Sequence, residues 1–139
     1  IDLDNTLIPW DSTHIEERLR NWVSYCKKQG FIFCIVSNNK YNRTKHCAKR
    51  LGIPAIARSF KPCKRAFKKG MAILRTQPEQ TAVIGDQIFT DILGAKRLGL
   101  FAILVKPLSK RELRWTKIMR KFEHMILKVL KDKKFISID

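Results

Sequence analysis

Two acidic residues stand close together at the start of the chain. In the stretch IDLDNTL, Asp2 and Asp4 are separated by one position. Side chains two positions apart in an extended chain point to the same side, so both carboxylates can reach one ligand. A carboxylate can attack phosphorus and form an aspartyl-phosphate. A second carboxylate can protonate a leaving oxygen and later deprotonate water. The pair therefore suits phosphoryl transfer, with Asp2 as nucleophile and Asp4 as general acid/base, although turns and helix caps also produce such pairs.

Polar residues that could bind a phosphate group follow the next apolar runs. Ser37 and Asn38 come after FIFCIV, and Lys61 comes shortly after IPAIA. A hydroxyl and an ammonium group are suitable donors to phosphate oxygens, where negative charge spreads during phosphoryl transfer. We expect Thr6, which follows the first acidic pair, and Asn38 to contact the substrate as well. Taken singly, each of these residues is more often a turn residue or a solvated charge.

Further acids follow the run TAVIG, namely Asp86 and, five positions later, Asp91. Mg²⁺ prefers oxygen ligands and is usually held by one or two carboxylates together with water and a substrate phosphate. Asp2, Asp86 and Asp91 are therefore candidate ligands of a magnesium ion.

Apolar runs that suit strands alternate with segments of helical periodicity. Strands are expected at 31–36, 53–57, 81–85 and 101–105, and helices at 12–29, 42–51, 62–75 and 90–98. Thr13 and Glu16 fit a capping box at the start of the first helix. This alternation predicts an α/β fold, a Rossmann-like parallel sheet with helices on both faces. Ligands of such sheets bind at the carboxyl ends of the strands, where the polar residues described above would lie.

The composition is strongly basic. The 139 residues include 29 Lys and Arg against 12 Asp and Glu, a net charge of +17. Such a charge favours polyanionic partners, whether nucleic acid, anionic lipid surfaces or phosphorylated substrates, although a basic protein without such a partner remains an alternative. No apolar run reaches the 18 residues of a candidate transmembrane helix. The four cysteines lack metal-binding spacing and are expected to be free thiols.

A long basic helix is expected at about 109–131. Its apolar positions recur at helical spacing and are Trp115, Ile118, Met119, Phe122, Met125, Ile126 and Val129. Such an amphipathic helix can pack its apolar face on the sheet, or it can lie at a membrane interface. The two arrangements can coexist, with the basic face toward anionic lipid.

The ordered set DLDNTL, VSNN, KP and GDQIFTD resembles the haloacid dehalogenase (HAD) superfamily of phosphatases. The resemblance is closest to the subfamily IIIA branch, which includes YqeG-like proteins and phosphatidylglycerophosphatases. It implies Mg²⁺ as cofactor, Asp2 as nucleophile, and Asp4 as general acid/base that also offers its backbone carbonyl to the metal.

The same resemblance assigns the remaining site residues. It implies that Ser37 and Lys61 bind the phosphate. It also implies that Asp86 is a metal ligand, with Asp91 as a further ligand or a partner of one.

Two segment lengths add further expectations. Members of this superfamily normally have several apolar residues before the nucleophile, whereas Ile1 alone precedes Asp2 here, so we expect a single domain, 1–139, that is truncated at its N-terminus. The intervals 6–31 and 38–61 are too short for a sizeable cap domain. An uncapped site suits a phosphate on a large molecule, since a small metabolite would be poorly shielded from water.

These observations predict a Mg²⁺-dependent phosphatase that hydrolyses a phosphomonoester through an aspartyl-phosphate. The favoured substrate is lipid-linked, of the phosphatidylglycerophosphate type, and the expected location is cytoplasmic, at the periphery of an anionic membrane. Two alternatives remain: a phosphatase of nucleotide or nucleic-acid ends, which is less favoured, and a non-catalytic basic module bound to RNA or ribosomes. The intact motif set argues against the non-catalytic alternative. The sequence leaves the oligomeric state open.

Overall fold

A computed structural model of the chain describes residues 1–109 together with 122, 123 and 125. Within residues 1–109, four α-helices and four strands alternate, with a 3₁₀ turn and a π-helical turn between them. In chain order they are α1 (Glu17–Lys28), β1 (Ile35–Val36), α2 (Tyr41–Leu51), β2 (Ala55–Ile56), α3 (Lys64–Leu74), the 3₁₀ turn (Pro78–Gln80), β3 (Ala82–Gly85), the π turn (Ile88–Ile92), α4 (Leu93–Lys96) and β4 (Phe101–Leu104).

The strands pair in parallel, and the first residues of the chain join the two pairs. β1 pairs with β2, and β3 pairs with β4. Between them, Val36 N donates to the Ile1 carbonyl at 3.0 Å, and Asp2 N donates to the Ile84 carbonyl at 2.8 Å. The spatial order is therefore β2, β1, residues 1–2, β3 and β4. This arrangement places Asp2 in the middle of the sheet.

Helices cover both faces of this sheet, as the sequence predicts. Successive residues of β1 point to opposite sides, so Ile35 belongs to a core with α1 and α2, whereas Val36 belongs to a core with α3. A third apolar cluster joins Phe67 of α3 to Val83 of β3. The predicted α/β class, with a parallel sheet between helices, is confirmed.

The first predicted helix and strand are shorter than expected. α1 begins at Glu17, and its N-cap residue is Glu16 without a side-chain capping bond, so the predicted capping box with Thr13 is wrong. The run 31–36 pairs as a strand only at Ile35 and Val36. Phe31 N still donates to the Cys26 carbonyl at the end of α1, which delays the start of strand pairing.

The later elements agree better with their predicted ranges. Gly52 and Gly99 adopt φ of 61° and 71° at the ends of the second and fourth predicted helices, a left-handed conformation that glycine adopts without strain. The fourth of these helices is partly a π turn, and its α-helical part begins only at Leu93. The four cysteines are free thiols, as expected. None of the described helices is both long enough and apolar enough to cross a bilayer.

The predicted basic helix at 109–131 lies almost wholly outside the described residues. Phe122 and Met125 were expected on its apolar face, yet both are more than half exposed. Glu123 is buried instead, and its carboxylate accepts a hydrogen bond from Phe89 N at 3.2 Å. Exposure of Phe122 and Met125 fits the interfacial arrangement at these two positions, and the helix as a whole stays a prediction.

Candidate active site

The Asp2 carboxylate is buried at the point where the central strands of the sheet end. Its Oδ1 accepts a hydrogen bond from Lys61 Nζ at 2.5 Å. Its Oδ2 is also buried and has no hydrogen-bond partner among the described residues. An unsatisfied buried carboxylate oxygen is costly unless a ligand or an ion completes its contacts. This oxygen is therefore available to attack a substrate or to bind a cation.

Lys61 lies between two carboxylates. Its Nζ is 2.5 Å from Asp2 Oδ1 and 2.6 Å from Asp91 Oδ1. Burial alone would lower the pKa of Lys61, but the charges of Asp2 and Asp91 and their hydrogen bonds outweigh it and raise the pKa above its ordinary value. Lys61 therefore carries a positive charge at neutral pH, as a group that binds phosphate oxygens must.

The loop that carries Lys61 is held by the side chain of Asn38. Asn38 Oδ1 accepts hydrogen bonds from Lys61 N and Ser59 Oγ, both at 2.7 Å, and its Nδ2 donates to the Lys61 carbonyl at 3.3 Å. The neighbouring Phe60 has a φ of 53°, a conformation that costs energy in a bulky residue and is often found at functional sites. Asn38 was expected to contact substrate, whereas its described bonds position the lysine loop.

Asp91 reaches the site across a glycine. A Cβ at Gly85 would lie 2.3 Å from Asp91 Cγ, so the end of β3 must be glycine for this carboxylate to lie against it. Gln87 N donates to Asp91 Oδ2 at 3.2 Å. Burial raises the pKa of Asp91; the Lys61 ammonium opposes this and the Asp2 carboxylate adds to it, so the pKa stays above its usual value.

Three buried carboxylates form a group that fits a hard cation. Asp2, Asp86 and Asp91 each offer an oxygen, and these oxygens lie within 4.8 Å of one another. Thr6, which was expected to contact substrate, donates from Oγ1 to Asp86 Oδ1 at 3.2 Å. Mg²⁺ prefers oxygen ligands, and this group offers three carboxylates, one of which has the unsatisfied oxygen Asp2 Oδ2.

The Asp4 carboxylate lies outside this group and faces α2. Its Oδ1 accepts from Arg43 Nε at 3.0 Å, and Arg43 Nη2 lies 2.8 Å from the same oxygen. Its Oδ2 accepts from Asn39 Nδ2 at 3.1 Å and from Ser37 Oγ at 3.3 Å. Asp4 was also expected to bind the metal, through its backbone carbonyl, and that role stays a prediction.

The structure thus sorts the predicted residues into two adjoining clusters. Asp2, Lys61, Asp86 and Asp91 form one, and Asp4 with the buried Ser37 forms the other. Asn39 and Arg43 contact Asp4 and were missed by the sequence interpretation. Helical spacing gives no signal for this pair, because Asn39 precedes α2 whereas Arg43 lies within it.

Comparison with known proteins identifies the family of the chain. The profile of the haloacid dehalogenase-like hydrolases matches residues 10–99. The chain is 40% identical to "Probable phosphatase YqeG" of Bacillus subtilis over 98% of its own length and 79% of that protein. It is 30% identical to "Phosphatidylglycerophosphatase GEP4, mitochondrial" of Saccharomyces cerevisiae, over 81% of this chain and 72% of that one.

Solved structures show the same fold. An uncharacterized protein from Listeria monocytogenes superposes with a TM-score of 0.61 and 21% identity, covering 81% of this chain and 82% of that one. The HAD-hydrolase YfnB from Bacillus subtilis, solved bound to magnesium, superposes with a TM-score of 0.58 and 21% identity over 75% of this chain and 50% of that one. The family profile and the two relatives together show that this chain belongs to the haloacid dehalogenase-like hydrolases and is a phosphatase.

Proposed function

We propose that this phosphatase hydrolyses phosphomonoesters through an aspartyl-phosphate on Asp2. The observation that carries the proposal is the buried Asp2 carboxylate, with one oxygen held by Lys61 and the other without a partner among the described residues. An Asp2 oxygen attacks phosphorus, and the bond to the ester oxygen breaks. That oxygen keeps the electron pair and takes a proton from the Asp4 carboxyl group, which releases the alcohol.

Hydrolysis of the intermediate uses the same groups in reverse. Water attacks phosphorus and gives a proton to the Asp4 carboxylate. The bond between phosphorus and the Asp2 oxygen breaks, and its electrons return to the carboxylate as inorganic phosphate forms. Lys61, which contacts Asp2, and Ser37, which contacts Asp4, are the proposed donors to the phosphate oxygens, where negative charge accumulates.

We propose Mg²⁺ as the cofactor, held by Asp2, Asp86 and Asp91. When bound, it neutralises charge on the phosphate oxygens and offsets the repulsion between substrate and carboxylates. The three neighbouring carboxylates carry more negative charge than the single Lys61 ammonium can balance. A divalent cation would balance the remaining negative charge.

The favoured substrate is a phospholipid phosphomonoester of the phosphatidylglycerophosphate type. Three observations support it: the similarity to a phosphatidylglycerophosphatase, the net charge of +17, and the surroundings of the lysine loop. Phe60, next to Lys61, is 78% exposed, and Arg58 is exposed on the same loop. An exposed aromatic ring beside basic residues suits an anionic lipid surface.

The test is a comparison of substrates with the purified chain and Mg²⁺. Release of inorganic phosphate is measured from phosphatidylglycerophosphate in mixed micelles, from nucleoside monophosphates and from 5′-phosphorylated RNA. We expect the lipid to give the highest kcat/KM, EDTA to abolish turnover, and added Mg²⁺ to restore it. A higher kcat/KM for nucleotide or RNA ends would replace the lipid assignment, and turnover unaffected by EDTA would refute the metal assignment.

A further inference from the structure

We propose that Arg43 is a positioning residue that fixes the Asp4 carboxylate for proton transfer to and from the leaving group. The inference rests on the proposed function, because it assumes that Asp4 acts as general acid/base. It concerns a residue of α2 that lies outside the group formed by Asp2, Lys61, Asp86 and Asp91.

The geometry of the guanidinium carries the proposal. Arg43 Nε and Nη2 both approach Asp4 Oδ1, at 3.0 and 2.8 Å, and Nη2 also donates to the Pro9 carbonyl at 2.8 Å. A guanidinium is planar and rigid, so two contacts fix its orientation and that of the carboxylate it holds. Arg43 thereby ties Asp4 to the loop that follows it in the chain.

The other Asp4 oxygen is fixed from the same part of the chain. Asn39 Nδ2 donates to Oδ2 at 3.1 Å, while Asn39 N donates to Ser37 Oγ at 3.0 Å. Asn39 lies just before α2 and Arg43 lies in its first turn, and their side chains contact the two oxygens of Asp4. The carboxylate is therefore held at both oxygens by groups at the start of α2.

Partial burial distinguishes this pair from an ordinary surface ion pair. The side chains of Arg43 and Asp4 are 15% and 22% exposed. Exposed pairs contribute little because water screens them, whereas this pair is mostly shielded. Asp4 nevertheless keeps enough exposure to meet a substrate that enters from solvent.

The chemical consequence depends on the leaving group. An alkoxide leaving group is strongly basic and needs a proton as its bond to phosphorus breaks, whereas p-nitrophenolate leaves readily without one. Misplacing Asp4 should therefore lower kcat/KM, which reports formation of the aspartyl-phosphate, far more for alkyl phosphates than for p-nitrophenyl phosphate, whereas the later attack of water is the same for both substrates. A purely structural role of Arg43 would slow both substrates alike.

The experiment compares Arg43→Ala and Arg43→Lys with the wild type on ethyl phosphate and p-nitrophenyl phosphate. For Arg43→Ala we expect kcat/KM on ethyl phosphate to fall about 10²-fold, the lower end of what acid–base catalysis contributes, and kcat/KM on p-nitrophenyl phosphate to fall less than about 5-fold. The rate of Arg43→Lys on ethyl phosphate should lie between those of the wild type and Arg43→Ala, since an ammonium keeps the charge but cannot make the paired contacts. Arg50→Ala, in the exposed last turn of α2, is the matched control and should leave both rates unchanged.

Two results would overturn the proposal. Equal losses of kcat/KM on both substrates would make the role of Arg43 merely structural. A raised KM with unchanged kcat would make it a substrate-binding residue. If Arg43→Ala does not fold, Arg43→Lys and Asn39→Ala carry the test, and the absence of leaving-group dependence in both would refute it. Failure of the proposed function would look different, because Asp2→Asn would then hydrolyse p-nitrophenyl phosphate as fast as the wild type.

Discussion

At the level of single residues, the candidate site gathers more negative than positive charge around the phosphate position. Asp2, Asp86 and Asp91 offer oxygens within 4.8 Å of one another, and Lys61 contacts two of these carboxylates. Charges this close repel strongly in a partly dry environment unless they are balanced. The site is therefore expected to bind a divalent cation before or together with the substrate.

Replacing the nucleophile tests the chemistry most directly. Asp2→Asn keeps the shape of the side chain but removes the attacking charge, so we expect the rate to fall by about 10³-fold or more, corresponding to about 4 kcal/mol of barrier. The measurement is hydrolysis of p-nitrophenyl phosphate at saturating Mg²⁺. Glu79→Gln, at an exposed acid of the 3₁₀ turn, should be unaffected. An Asp2→Asn protein that keeps a tenth of the wild-type rate would refute the mechanism.

Gly85 offers a test of the metal site without removing a carboxylate. In Gly85→Ala the new Cβ would lie 2.3 Å from Asp91 Cγ, so Asp91 must move away from Lys61 and Asp2. We expect the Mg²⁺ concentration at half-maximal rate to rise by about tenfold or more, as for other changes that displace a ligand. Ala82→Ser, at the exposed start of the same strand, is the control. An unchanged Mg²⁺ titration would argue against Asp91 as a ligand.

The sequence indicates the acids and the lysine because each follows a strand, and strand ends meet at one edge of a parallel sheet. It does not indicate Arg43, because an arginine in a basic helix is usually solvated and its contact with Asp4 joins distant parts of the chain. It also gives no sign that the Asn38 amide bonds to the backbone of Lys61, and the expected contact of Asn38 with substrate stays a prediction. Such side-chain contacts depend on tertiary packing that spacing alone does not specify.

At the level of elements, the helices follow the sequence more closely than the first strand does. Apolar periodicity predicts α2 and α3 to within two residues at each end. The run FIFCIV reads as one buried strand, yet Phe31 and Ile32 are 63% and 55% exposed. An unbroken apolar run gives no sign of where strand pairing begins, because that depends on where the preceding helix ends.

The contact between α3 and α4 depends on a glycine. A Cβ at Gly94 would lie 2.3 Å from Cε2 of the buried Phe67, so the two helices could not keep their present separation. We expect Gly94→Ala to lower the free energy of unfolding by about 1–3 kcal/mol, the usual cost of overpacking a core. The measurement is urea denaturation. Leu93→Ala, at a neighbouring residue that is 43% exposed, should cost less, and equal losses would contradict the explanation.

At the level of the whole molecule, the proposed lipid substrate predicts that basic and exposed apolar side chains bind a membrane surface. The basic residues predicted to face lipid in the C-terminal segment are Lys110, Arg111, Arg114, Lys117, Arg120, Lys121 and Lys128. All of them lie outside the described residues. Among the described ones, exposed Arg58, Lys64 and Arg65 flank Phe60 and Lys61. Each basic residue near an anionic bilayer contributes roughly 1 kcal/mol, decreasing within a Debye length.

We expect the chain to sediment with anionic liposomes and to be released from them by salt. It should not bind zwitterionic liposomes. Phe60→Ser should weaken liposome binding by about tenfold, since burying a phenylalanine side chain contributes about 1.5–3 kcal/mol. It should leave p-nitrophenyl phosphate turnover nearly unchanged. Tyr41→Ser, at another exposed aromatic residue, is the control.

RNA also binds basic proteins in a salt-sensitive manner, so an equal charge of RNA is added as competitor. Preferential binding to RNA, without turnover of a phospholipid phosphate, would defeat the lipid proposal.

The position of residues 1–2 between β1 and β3 has a consequence for the motions of the molecule. The backbone of Asp2 donates to one half of the sheet, and that of Ile1 accepts from the other. Breaking these bonds separates the two strand pairs, so the Asp2 and Val36 amides should exchange with deuterium only when the whole domain unfolds. The Lys61 loop and the start of α2 lie outside the paired strands, and side-chain bonds of Asn38 and Asp4 hold them. We therefore expect local opening to begin in these two segments, while Asp2 belongs to the most slowly opening part of the protein.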